Sequence, residues 1–185
     1  MKRPQLLQQR EIESNRYVRV YMDRLRFPDG TEGTHLRVTE STGAAILVVD
    51  EQGRLYLHHA YHYAADREFL EIIRGFGEGA EDAKTTALRE LNEEAGFTYE
   101  VSQDPVSLGT TFPNSTLLAA GVPLFLVKVC VIGERMPKDT SESIGAGGWF
   151  SPREVKELVV EGDIVDGFTL TALALAWARK DMKLT

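Results

Sequence analysis

The chain has 185 residues, 43% of them hydrophobic and 26% charged, a balance that argues against disorder and gives room for one packed domain with a small appendage at most. Its formal net charge of −7 argues against nucleic acid or an anionic membrane held by bulk electrostatics, so a phosphate ligand would need local neutralisation by a metal or a few arginines. One cysteine, Cys130, excludes an internal disulfide framework and favours a reducing compartment.

The opening stretch MKRPQLLQQREIESN has no apolar core of signal-peptide length, and no run is long enough to span a membrane. A cytoplasmic location is therefore expected. Residues 17–27, YVRVYMDRLRF, are β-branched and aromatic-rich, and with the turn PDG and the following THLRV they predict a hairpin. AAILVV (44–49) reads as a strand buried on both faces, joined through DEQG (50–53) to RLYLHHAY (54–61). EFLEII (68–73) is a short strand that runs into a glycine-rich loop. Over residues 82–95, Ala83, Ala87, Leu88, Leu91 and Ala95 recur at three- and four-residue steps and predict a helix with one buried face, with Gly96 as its stop. Strands are expected over 97–101, 106–112, 122–132 and 147–150, and Cys130, in VPLFLVKVCVI, reads as a small buried hydrophobe. SPREVKELVV starts a helix with Ser151 as cap and Pro152 in its first turn, and a last helix covers roughly 168–180. The order gives an α+β fold with helices packed on a mixed sheet, preceded by an N-terminal antiparallel β segment. Residues 1–40 are expected to form that segment and 41–185 the main domain.

The segment GFGEGAEDAKTTALRELNEEAGF (75–97) carries the chemistry. Glu90, Glu93 and Glu94 stand at i, i+3 and i+4, which projects them together, on the side opposite the apolar residues. Three such glutamates are ordinarily a solvated helix face. Here a glycine loop precedes them, Arg89 lies among them to pair with a carboxylate, and Glu81 sits at the helix entrance within reach of Arg89. Clustered carboxylate oxygens on a rigid surface suit a hard cation such as Mg²⁺, which binds phosphate oxygens as well.

These residues resemble the Nudix box, G-x5-E-x7-R-E-U-x-E-E-x-G-U with U apolar, at every specified position: Gly75, Glu81, Arg89, Glu90, Leu91, Glu93, Glu94, Gly96 and Phe97. The resemblance implies an α/β/α sandwich with a mixed central sheet, and Mg²⁺ or Mn²⁺ on the box helix. It implies Glu90 and Glu94 as main metal ligands, Glu93 as a further ligand or orienting acid, and the Arg74 carbonyl completing the set, with Glu81 and Arg89 bracing loop and helix. The reaction implied is hydrolysis of a nucleoside diphosphate linked to another moiety. Pro113, sixteen residues after Phe97, stands where the ADP-ribose pyrophosphatase subgroup carries a proline. PDG, LEIIRG and GDIVDGFTLTALALAW are also similar to that subgroup, which implies ADP-ribose or a related nucleotide sugar as substrate and a homodimer formed through the N-terminal segment. The chain departs from the subgroup at Ala60-Tyr61-His62, where Gln-Tyr-Arg is common, and at Ile72-Ile73-Arg74-Gly75, where Leu-Pro-Ala-Gly is common.

By the same likeness a loop glutamate before the last strand is the general base. Residues 133–148 offer Glu134, Asp139 and Glu142, and Glu142 is favoured because the glycines after it let the loop fold over the metals. Arg74, Arg67 and His62 are candidates for the diphosphate, and Glu71 for a sugar or a metal-bound water. Arg37 matches a basic position that reaches the partner subunit's site, and Tyr21 or Phe27 is a candidate to stack on a base, against the ordinary reading of strand aromatics as core. TTFPNSTLL is similar to part of the NADH pyrophosphatase signature. A hydrolase of NADH or of a dinucleotide polyphosphate is thus the alternative, and a non-catalytic nucleotide sensor the alternative of another class.

Overall fold

The computed structural model describes residues 2–134 and 144–180. Its contacts divide the chain into two units, Met1–Thr42 with Phe112–Gly121, and Gly43–Thr111 with Val122–Thr185.

In the first unit β1 (Gln5–Ser14), β2 (Val18–Arg26) and β3 (Glu32–Glu40) form an antiparallel sheet in that order. The PDG turn between β2 and β3 is fixed by Asp29, whose carboxylate accepts from both the amide and the hydroxyl of Thr31. Nothing in the sequence pattern marks β1 as a strand. QLLQQREIES is exposed along nearly its whole length, so it shows none of the apolar alternation of a half-buried strand. The segment Phe112–Gly121 joins this sheet through Val38, which exchanges backbone hydrogen bonds with Leu117 and Ala119.

In the second unit the apolar run of β4 (Gly43–Val49) is buried at every residue. It lies inside a seven-stranded mixed sheet of order β10 (Ile144–Phe150), β5 (Leu55–His62), β4, β9 (Val122–Glu134), β8 (Phe97–Thr111). β4 and β9 are parallel, and the other neighbours in that order are antiparallel. The strand expected over 68–73 is two: β6 (Arg67–Glu71) pairs with β5, and β7 (Ile73–Phe76) with β4. β4 meets β5 only near their turn, at Val48↔Tyr56 and Val49↔Leu55, because β7 occupies its earlier half. The two strands expected between 97 and 112 are one, β8, and a register shift between Gln103 and Val106 accommodates Pro105, which has no N–H for the ladder.

Alternation along β4 sends its side chains into two cores. Ala44, Ile46 and Val48 pack with Ala87 and Leu91 of α1 (Ala83–Glu94). Ala45, Leu47 and Val49 pack with Val155 of α2 (Pro152–Glu161) and Ala172, Leu173 and Ala176 of α3 (Gly167–Ala178). The sheet therefore lies between α1 on one face and α2 and α3 on the other: an α/β/α sandwich. Each helix starts on a side-chain cap, Asp82, Ser151 and Asp166 respectively, and Ser151 with Glu154 completes a capping box. Gly96 is not the stop expected for α1. The chain leaves the helix extended at Ala95 (φ −64°, ψ 127°), and the Gly96 amide donates to the Tyr56 hydroxyl at 3.2 Å. Cys130 is only half-buried, with Sγ 3.2 Å from the Glu51 carboxylate, because its stretch of β9 lies near the sheet's margin rather than in either core. Among the described residues no helix is long and apolar enough to cross a membrane.

Candidate active site

The acids of α1 do not all face water. Each residue turns about 100° around a helix, which places Glu90 and Glu94 among Ala83, Ala87 and Leu91 rather than opposite them. Both are buried, Glu90 at 8% and Glu94 at 3% exposure, while the Glu93 side chain keeps 34%. The expectation of three carboxylates opposite the apolar face is corrected accordingly: two of them share that face.

Buried carboxylates need compensation, and the surrounding residues supply it. The Arg89 guanidinium lies 2.9 Å from Glu90, 2.7 Å from Glu93 and 3.2 Å from Glu81, and also donates to the Phe76 carbonyl at 2.6 Å. Its planar fork of donors serves acceptors spread around it over a wider span than the single nitrogen of a lysine reaches. Burial opposes its charge, but Glu90, Glu93 and Glu81 together hold the guanidinium more firmly protonated than usual. Glu81 accepts from the Glu78 amide and the Thr86 hydroxyl, each at 3.1 Å. The Glu78 amide foremost, with Arg89 and Thr86, keeps its carboxyl below the ordinary range against some desolvation. Gly75 completes the setting: a Cβ there would collide with the Glu90 carboxylate, so the box glycine makes the space that this acid fills.

A second cluster stands where β5, β6 and β7 come together. His62 Nε2 is 2.8 Å from Glu71 Oε2 and 2.9 Å from an Arg74 Nη, and Arg74 Nε is 3.4 Å from the other Glu71 oxygen. Glu71 is 2% exposed, and burial, opposed by Arg74, pushes its carboxyl up. Arg74 also lies 4.7 Å over the Phe168 ring. The strand step between β6 and β7 is tied to α3 by the Ile72 amide, which donates to the Thr169 hydroxyl; that hydroxyl donates to Asp166.

The clusters meet at His58, a residue that the sequence reading missed. It is the cross-strand partner of Glu71, and its Nε2 lies 3.8 Å from Glu94 Oε2. Burial first, and then the Arg74 charge, drive its pKa down to about 4, so the imidazole is neutral near neutral pH. The available signal was a polar residue in the middle of RLYLHHAY, on the same strand face as the buried Tyr56.

Glu81, Arg89, Glu90 and Glu93 thus come together, as do His62, Glu71 and Arg74, with Glu94 beside His58. Arg67 is exposed and lies 4.9 Å over Phe69, whose ring is 5.3 Å from that of His62. Arg37 and Pro113 belong to the other unit. There Arg37 pairs with the buried Asp23 at 2.7 Å and covers the Tyr21 ring, which is core at 8% exposure. Phe27 packs near Gly33. Glu142 lies outside the described residues.

The donors near α1 are carboxylate oxygens, and Gly75 leaves room for one of them beside the Arg74 backbone. That chemistry fits a hard divalent cation. Among the described residues no group of three or more His, Cys, Asp and Glu side chains is placed to hold a metal ion, so the protein side chains offer at most a partial ligand set. An open set of this kind suits an ion that keeps several waters rather than a tightly enclosed structural metal.

Residues 39–166 match the family model of the NUDIX domain. A methanol dehydrogenase activator of Bacillus methanolicus is 28% identical over 101 residues, 55% of each chain. An ADP-ribose pyrophosphatase of Bacillus subtilis (strain 168) is 30% identical over 88 residues, 48% of each chain. The chain thus spans about half the length of these relatives. A solved structure of an ADP compounds hydrolase superposes with a TM-score of 0.79 at 18% identity, covering 98% of this chain and 97% of that one; at that identity the likeness concerns the fold. The family match takes in the glycine loop, the acidic helix and most of the sandwich that holds them, and the chain belongs to the Nudix family.

Proposed function

We propose that the protein is a metal-dependent pyrophosphohydrolase that cleaves a nucleoside diphosphate joined to another moiety, ADP-ribose first, giving a nucleoside monophosphate and a sugar phosphate. The carrying observation is the braced acid face: Glu90 set against Gly75 and Glu94 against His58, with one arginine tying Glu90 to Glu81 and Glu93. Likeness to an ADP-ribose pyrophosphatase supports the substrate class.

Mg²⁺ or Mn²⁺, when bound, neutralises charge on the phosphates and acidifies the attacking water. Glu90 and Glu94, with Glu93 and the Arg74 carbonyl, would hold it. Arg89 and Glu81 keep the helix and loop in register. Arg74, anchored by Glu71 and Phe168, presents a guanidinium for phosphate oxygens with His62 against it, and Arg67, the cross-strand neighbour of His62, is assigned to the diphosphate as well. Glu71 is assigned to a sugar hydroxyl or a water. Glu142 is assigned as the base that takes the proton of the attacking water; one P–O bond forms, the bridging P–O bond breaks, and the second phosphate leaves. Pro113 and Arg37 are assigned to substrate, Arg37 reaching the site of a partner subunit.

We place the chain in the cytoplasm as a homodimer formed through residues 1–40, consistent with β1 at the edge of its sheet. Sedimentation of the intact protein tests the dimer: a monomer mass at micromolar concentration would end that reading. For the reaction, the protein is incubated with Mg²⁺ and a panel of diphosphate compounds, and the products are identified. AMP and ribose phosphate from ADP-ribose are expected. Turnover confined to NADH or a dinucleotide polyphosphate would move the substrate assignment, and no turnover across the panel would overturn the hydrolase.

A further inference from the structure

His58 is 2% exposed. Its Nε2 faces Glu94 Oε2 at 3.8 Å, while Nδ1 is buried with no hydrogen-bond partner among the described residues. A neutral imidazole carries one N–H, and the surroundings choose between two tautomers. With the proton on Nδ1, a buried donor would lack an acceptor and the Nε2 lone pair would point at a carboxylate. Both features are unfavourable, because a buried donor left without an acceptor loses its hydration with nothing in return. With the proton on Nε2, the N–H dipole points at Glu94 and only an acceptor lone pair is left unmet.

A metal-ligating histidine ordinarily donates its other ring N–H to a carboxylate or carbonyl. Ligation through Nε2 would require Nδ1–H, and nothing among the described residues stands there to receive it. We propose that His58 is a positioning residue, whose Nε2–H holds the Glu94 carboxylate in place while the imidazole stays outside the metal's ligand shell. This rests on the reading of Glu94 as a metal ligand. At 3.8 Å the contact is electrostatic, and a shift of about 1 Å turns it into a hydrogen bond.

Two measurements on the intact protein test this. In chelator, ¹⁵N NMR of labelled protein, with His58→Gln to assign the signals, should show the neutral Nε2–H tautomer; the Nδ1–H tautomer would overturn the proposal. Mn²⁺ is then titrated by EPR into wild type, His58→Leu and His58→Gln, each first shown to be folded by circular dichroism. Removing the donor in His58→Leu should weaken Mn²⁺ binding by about 10–100-fold, as loss of an outer-shell partner does, and the Gln amide should restore most of it. Equal affinity in wild type and His58→Leu would sink the role of His58 alone. So would a ¹⁴N coupling on Mn²⁺ in wild type that disappears in His58→Gln, since it would make His58 a ligand. No Mn²⁺ binding by wild type would instead bring down the underlying reading of α1.

Discussion

Arg89→Met removes a guanidinium that touches three carboxylates and one carbonyl while keeping most of the side chain's length. The Arg89 side chain is 20% exposed, with Glu90 at 10%, Glu81 at 20% and Glu93 at 34%. Breaking a fully buried pair costs about 3–5 kcal/mol, and the partial exposure of these partners discounts that to roughly 2 kcal/mol. For a chain of this size that is a fall in Tm of about 4–8 °C. The loss has a specific signature. Glu81, Glu90 and Glu93 then repel one another without their cation, and a divalent ion can replace the missing charge. Thermal unfolding followed by circular dichroism should show the full loss in EDTA and a much smaller one in millimolar Mg²⁺, with Arg89→Lys between wild type and Met. A loss below 1 °C, or one of equal size with and without Mg²⁺, would refute the idea that guanidinium and metal share the neutralisation of one acid cluster.

Gly75→Ala puts a methyl where the Glu90 carboxylate lies, so divalent-ion affinity by calorimetry should fall at least about tenfold, with a stability loss of about 1–3 kcal/mol from overpacking; unchanged affinity would mean that Glu90 is not held there for a metal. Glu142→Gln should lose about 10²–10⁴-fold in turnover at unchanged metal affinity, and near-wild-type activity would remove it from the mechanism. In metal-free protein the His58 pKa of about 4 lies below the unfolded value of about 6.5. On acidification the unfolded chain takes that proton first, so His58 costs the native state up to about 3 kcal/mol as pH falls from 6.5 to 4. Burial of Glu71 acts with the opposite sign, because its raised pKa favours the native state on the acid side. Urea unfolding should therefore show a steeper acid-side loss for wild type than for His58→Gln, and parallel curves would contradict the burial argument.

A sheet with helices packed on it was legible in the run AAILVV, which reads as buried on both faces, and the start of α2 in the cap Ser151, which depends on local sequence. The box residues and the Glu81–Arg89 contact were legible because their spacing fixes them on one loop and helix. What the pattern concealed is more instructive. The turn of about 100° per residue already puts Glu90 and Glu94 among Ala83, Ala87 and Leu91; what spacing alone does not show is what they meet there, Gly75, Arg89 and His58, the last brought in from a distant strand. β1 escaped notice because it is exposed along nearly its whole length, and the step at Ile72 because no turn residue marks it. The His62–Glu71–Arg74 contacts needed the β5–β6 register, which the sequence leaves open.

The central claim is that the acid face of α1 takes up divalent ions. Crystals grown in chelator and then soaked in Mn²⁺ would test it by anomalous scattering at the manganese edge. A peak is expected within ligand distance of the Glu90 and Glu94 carboxyl groups and the Arg74 carbonyl; a map with no peak there, or with its only peaks elsewhere, would contradict metal uptake by this face.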